Sequence, residues 1–131
     1  MNIITRFQHS PNAIPLAAGE VLFQEGALAE VMYVLLEGTV DVVVGGTVVE
    51  SAEAGTVLGE MAVIDGSPRS ATAISRTRCL LVSISAAQFD NLVHETPDFA
   101  RFVMQVLSGR LRRMNQRLLE AFAEVSVREP L

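Results

Sequence analysis

Between residues 13 and 85 the sequence breaks into short runs rich in β-branched residues, and most of these runs end at glycine: "VLFQEG", "VMYVLLEG", "TVDVVVGG", "TVVESAEAG", "ATAIS" and "RCLLVSIS". Short strands with turn signals at regular intervals predict a sandwich or barrel. Gly45-Gly46 lies between two valine-rich runs, and such a pair suits a two-residue hairpin because it tolerates positive φ. "TVDVVV" begins by alternating, which puts Val40 and Val42 on one face and Thr39 and Asp41 on the other. Gly26, Gly38 and Gly55 read as further corners.

After Ser85 the period changes. Ser85 followed by Gln88 is a capping-box pattern, in which the hydroxyl takes an orphan amide and the glutamine reaches back. It predicts a short helix to about Glu95, with Phe89, Leu92 and Val93 toward the core. Thr96 then serves as N-cap to a second helix. Pro97 stands in its first turn, where a missing N–H costs nothing, and Asp98 suits the dipole. This helix is expected to run to about Val125. Met104, Leu107, Leu111, Met114, Leu118, Ala121 and Val125 repeat along it at steps of three and four, a heptad seam over three repeats. The seam can pack on the strands or pair with a second copy. The tail "SVREPL" is expected to fray. The predicted fold class is mainly β, a jelly-roll-like β-roll sandwich followed by two α-helices. It forms one domain over 1–131, divided into an N-terminal segment (1–12), the roll (13–85) and the helices (86–125).

A chain of 131 residues builds one core and not two. With no Trp and one Tyr, that core is aliphatic. The net charge of −5 argues against nucleic-acid binding through the overall field. The positive charge is all arginine, concentrated at Arg110, Arg112, Arg113 and Arg117. One cysteine allows no internal disulfide and fits a reducing cytoplasm. Cys79 itself lies in an apolar run and reads as inert core. The N-terminus lacks the pattern of a signal peptide, and no apolar run reaches the ~20 residues that span a bilayer.

The stretch "GEMAVIDGSPRSA" (residues 59–71) carries the chemistry. Gly59 lets the backbone approach another group closely. Glu60 is an acceptor-only group suited to a pair of sugar hydroxyls, or to an arginine. Residues 61–64 can make one helical turn whose free amides attract an anion, and Asp65-Gly66 ends it. Pro68 extends the chain, and Arg69 offers a planar fork of donors, the best protein partner for phosphate. Ser70 adds a hydroxyl and Ala71 an unobstructed amide. Two readings fit these residues: a phosphate-and-sugar site, or an internal Glu60–Arg69 ion pair that braces a loop.

"VLGEMAVIDGSPRSATA" closely resembles the phosphate-binding cassette of cyclic nucleotide-binding domains, the modules of catabolite activator proteins, of regulatory subunits of cyclic AMP-dependent kinase and of cyclic nucleotide-gated channels. The match rests on Gly59, Glu60, Met61, Ala62, Pro68, Arg69, Ser70, Ala71 and Thr72 in the family's order and spacing. Weaker likeness extends over residues 14 to 119. The resemblance implies that Glu60 accepts from the ribose 2′-hydroxyl and that Arg69 grips the cyclic phosphate. Amides near Ala62 and Ala71, with the Ser70 hydroxyl, complete the cradle. Val49, Leu58 and Val42 wall the base, and the last helix closes as a lid carrying Arg113 or Arg117. Leu58 and Ala27 stand where the family often has phenylalanine and aspartate.

The implied function is a sensor, with cyclic AMP placed ahead of cyclic GMP, and neither an enzyme nor a carrier of a cofactor or metal. About a dozen residues follow Leu119, too few for a helix-turn-helix. Output is therefore expected from an effector protein, from a homodimer rearranging through the last helix, or from a region outside this sequence, with no direct DNA or membrane contact. A ligand-independent β-roll interaction module is the alternative. A cupin-type metalloenzyme needs clustered ligands, whereas His9 and His94 both lie outside the predicted roll.

Overall fold

The structure is a computed structural model that describes residues 1–128, with side chains described through Val125. The element order is α1 (Ile3–Phe7), β1 (Ala13–Leu16), β2 (Val21–Phe23), β3 (Val31–Glu37), β4 (Thr39–Val44), β5 (Thr47–Glu53), β6 (Thr56–Leu58), α2 (Glu60–Asp65), β7 (Thr72–Ser75), β8 (Cys79–Ser85), α3 (Ala86–Glu95) and α4 (Pro97–Arg128). The strands form two four-stranded antiparallel sheets, in the orders β1-β8-β3-β6 and β2-β7-β4-β5. This is the expected roll with helices after it, with one short helix, α2, set within it.

The burial pattern explains why β3 and β8 read as almost continuous apolar runs. Their sheet is covered on both faces. Met32, Val34, Leu36, Val82 and Ile84 meet Ile3, Phe99 and Val103 of the helical layer. Leu35, Cys79 and Leu81 point the other way, toward Val40, Ala52 and Ala73 of the second sheet. Cys79 is buried, and its Sγ lies 3.4 Å from the Thr39 carbonyl oxygen. The second sheet has one solvated face, so β4 alternates from buried Val40 to the half-exposed Asp41. Its hairpin closes at Gly45-Gly46, where φ is +56° and +81°, two successive positive values that a Gly-Gly pair adopts without strain.

Three elements had no counterpart in the sequence reading. β1 contains Pro15, which cannot donate to a ladder, and it is accommodated as an edge strand. β6 has three residues, too short for a period to show. The N-terminal segment holds α1: the Asn2 side chain accepts from the Thr5 amide, Ile3 is buried, and Phe7 meets Phe99 edge-on at 6.3 Å.

The capping box forms as expected, with Ser85 and Gln88 exchanging bonds across the start of α3. α4 is 32 residues long, about 48 Å at 1.5 Å per residue. Its anchored part is Phe99, Val103 and the partly buried Phe102, Val106 and Leu107. Of the heptad seam only Leu107 packs on that core. Met104, Leu111, Met114, Leu118 and Val125 are exposed, so the reading in which the whole stripe covers the strands is corrected. Beyond Arg110 every described residue of the helix is exposed. The expected fraying of the tail concerns residues 126–131: the backbone is helical to Arg128, and 129–131 lie outside the described residues. No helix of the described residues is long and apolar enough to cross a membrane.

Candidate functional site

Gly59 follows β6 and caps α2 in the left-handed region, at φ +70°. The reason is steric: a Cβ at this position would collide with Nη1 of Arg69. α2 then runs for six residues and stops at Gly66, whose amide donates to the Ala62 carbonyl. In the loop that follows, the Ser67 amide donates to Asp65 Oδ1 at 2.9 Å and the Ser67 hydroxyl donates to the same oxygen. The two bonds, hydroxyl first, hold the Asp65 carboxyl below its ordinary value.

The chain then passes through Pro68 and is strapped to the corner between β2 and β3. The Arg69 amide donates to the Ala27 carbonyl (2.9 Å), and the Gly26 amide donates to the Arg69 carbonyl (2.8 Å). This fixes where the Arg69 side chain starts. The side chain is buried, donating from Nη1 to the Gly59 carbonyl (3.1 Å) and from Nη2 to the Val31 carbonyl (2.7 Å). The guanidinium lies 4.2 Å from the centroid of the Phe23 ring, which is itself stacked on Tyr33 at 6.1 Å. Burial pushes the Arg69 guanidinium below its ordinary value; Tyr33 and Glu60 act in the opposite direction. A guanidinium has five N–H donors, and the bonds described use two of them.

Glu60 does not pair with Arg69. Its carboxylate, almost wholly buried, accepts from Arg110 Nη1 of α4 at 2.5 Å. Arg110 also donates from Nε to Glu50 Oε2 (3.0 Å) and from Nη2 to the Val57 carbonyl (2.5 Å). Arg113 Nη2 donates to the other Glu50 oxygen at 3.0 Å. Charges thus alternate along one path: Arg69, Glu60, Arg110, Glu50, Arg113.

These groups border one cavity of about 380 Å³ between the second sheet, α2 and α4. Val49, Leu58, Gly59, Glu60, Met61, Ala62, Arg69, Ser70 and Ala71 all line it, as do Val42 and Arg113. Arg117 is not among the lining residues. It lies two turns beyond Arg110, where α4 has left the roll, and it is exposed. Arg110, Glu50 and Phe23 line the cavity without having been singled out. Arg110 was visible only as one of four clustered arginines, and its tie to Glu60 depends on where the helix crosses the roll. Glu50 follows Val49, and regular alternation would turn it away. The ladder, however, slips between Val42, opposite Glu50, and Val43, opposite Val48. Val49 is therefore the extra residue of a bulge, and Val49 and Glu50 both reach the cavity.

The comparisons fit this geometry. Residues 13–96 match the family model of the cyclic nucleotide-binding domain, and the chain belongs to that family. It is 37% identical over 100 residues to a cyclic nucleotide-gated potassium channel of Rhizobium etli, an alignment that covers 76% of this chain and 27% of the channel. Among solved structures, the c-di-GMP responsive global regulator CLP of Xanthomonas campestris shares the fold at a TM-score of 0.78 and 22% identity, over 88% of this chain and 61% of that one. The catabolite activator protein of Thermus thermophilus gives a TM-score of 0.72 at 25% identity, over 84% of this chain and 55% of that one.

Proposed function

We propose that this chain is a sensor that binds a 3′,5′-cyclic nucleotide, cyclic AMP ahead of cyclic GMP, and that it binds without turning its ligand over. The observation that carries the reading is the arrangement of Arg69 and Glu60. They share a cavity of small-molecule size and are not bonded to each other. Among the described residues Arg69 donates only to neutral carbonyls, so its charge is left for a phosphate. Glu60 is placed to accept from ribose. α4 forms the remaining wall and acts as the lid. Calorimetric titration with cyclic AMP and cyclic GMP tests this, repeated on Arg69→Ala. Loss of a charge-assisted fork should weaken binding by at least about a hundredfold. Undiminished affinity in a folded Arg69→Ala would refute the assignment. Failure of both nucleotides to raise the melting temperature would favour the ligand-independent interaction module.

Output through a partner or a second copy belongs to the same reading. The exposed seam of α4 supports pairing with the same helix of another copy, because three-four spacing is the pattern two such helices bury between them. Sedimentation of the chain and of Leu118→Glu decides this: the chain should show a concentration-dependent dimer and the variant a monomer. A reducing cytoplasmic setting is consistent with a single, buried cysteine.

A further inference from the structure

The contacts order the cavity from one end to the other. Arg69 and Ser70 stand at the phosphate end and Glu60 comes next. Arg110 then bridges Glu60 to Glu50, with Arg113 beyond. The region around Glu50 is where a base attached to a Glu60-held ribose must lie. Its other walls include Val42, Val49, Leu111 and Met114, which offer no hydrogen bonds. In an apolar pocket, a few fixed polar groups set which ligand is accepted.

We propose that Glu50, which faces the cavity opposite Val42 and is fixed by Arg110 and Arg113, reads the base by accepting a hydrogen bond from its exocyclic amino group. The proposal rests on the cyclic nucleotide reading above and adds the feature of the base that is recognised. Glu50 can do this while remaining paired. A carboxylate has about four lone-pair sites, and its two bonds to arginine leave two open. Each oxygen is held by a different arginine at 3.0 Å, so the plane of the group is fixed before ligand arrives. Arg113 is exposed, and the described bonds use one of its five donors, which leaves others to meet a ring nitrogen beside the amino group. Acceptor and donor side by side match the edge of a base that offers a donor beside an acceptor. A base without the amino group leaves the carboxylate facing an unmatched edge.

The test is an analogue–mutant cycle read by calorimetry. Cyclic AMP is compared with purine riboside 3′,5′-cyclic monophosphate, which lacks only the 6-amino group. Each is titrated into the unmodified chain and into Glu50→Ala. The chain should bind cyclic AMP about ten- to a hundredfold tighter, the range expected of one hydrogen bond to a charged acceptor. Glu50→Ala should shrink that ratio to below about threefold, whatever it does to both affinities together. Should Glu50→Ala fail to fold, Glu50→Gln keeps the shape with a neutral acceptor and should retain a gap of only a few-fold. Cyclic GMP against cyclic IMP repeats the comparison for a 2-amino group. A gap there that Glu50→Ala removes makes guanine the base that is read. Equal affinities in both pairs, or a gap that persists in Glu50→Ala, overturns the assignment while leaving the cyclic nucleotide reading intact. Absence of binding by all four nucleotides overturns both.

Discussion

Replacing Arg110 by alanine removes the one described partner of a buried carboxylate. Glu60 is 4% exposed and accepts its hydrogen bond from Arg110. Breaking a buried pair from one side typically costs about 3–5 kcal/mol, because the remaining charge is left without compensation. Two features of this site lower that figure. The Arg110 side chain is 19% exposed, so it was not fully desolvated. Glu60 also borders a cavity of about 380 Å³, ample room for the waters that would replace a guanidinium. The expected loss is therefore about 2–3 kcal/mol. With unfolding entropy near 2 cal/mol/K per residue, a chain of this length should melt roughly 7–11 °C lower.

The same argument predicts a specific rescue. Glu60→Gln in the Arg110→Ala background replaces an orphaned charge by a neutral amide. The double variant should lose less than the two single variants combined, by about 1–2 kcal/mol. Urea unfolding of all four proteins supplies the cycle. Arg110→Ala within 0.5 kcal/mol of the parent, or additive losses, would show that Arg110 is only a surface lid residue touching Glu60 by coincidence.

Three further outcomes follow from local geometry. Gly59→Ala should cost about 1–2 kcal/mol for a side chain in the left-handed region and should also weaken cyclic nucleotide binding, because the new Cβ displaces Arg69 Nη1. Gly19→Ala, at φ +85° with open space around it, should lose stability without losing affinity. Ser67→Ala should raise the Asp65 pKa toward the ordinary carboxylate value, seen by NMR titration, because both the hydroxyl bond and part of the loop's order are lost. A depressed folded-state pKa stabilises above the ordinary Asp value and fades as pH falls through the lower folded one. The variant should therefore differ from the parent at neutral pH, and the difference should begin to fade below about pH 4 and vanish only below the lowered folded-state value.

What the sequence revealed and what it hid divide along a physical line. Local devices were legible: the glycine pair that turns β4 into β5, the Ser85–Gln88 box, the glycine stop after α2, and the strands β3 and β8. Each depends on residues within a few positions of one another. β6 was hidden because three residues carry no period. The sequence points to Arg113 or Arg117 and passes over Arg110, because a helical repeat states which face a residue is on, not where the underlying roll ends; of these three, Arg110 and Arg113 line the cavity. α4 leaves the roll soon after the Arg110–Arg113 turn, so a residue one or two turns later has nothing to close over. Glu50 was hidden because its neighbour Val49, the bulged residue, also reaches the cavity, and simple alternation counted from Val49 turns Glu50 away.

The alternation of charge along the cavity answers why an acid and an arginine stand so close in "GEMAVIDGSPRS" without joining. Both carboxylates of the path are matched by α4, Glu60 by Arg110 and Glu50 by Arg110 and Arg113. Arg69 is matched by no carboxylate among the described ion pairs; its bonds go to two carbonyls and its face to an aromatic ring. Those contacts fix its position without cancelling its charge. Among the described residues the cavity therefore has a single uncompensated cation, at the end beside Ser70 and Ala71. Carboxylate acceptors lie along the rest of its length. A ligand carrying one negative charge at one end and N–H or O–H donors along its body has only one favourable orientation in such a field. That polarity would be lost if Glu60 had paired with Arg69, and keeping the two apart is the electrostatic task of Arg110.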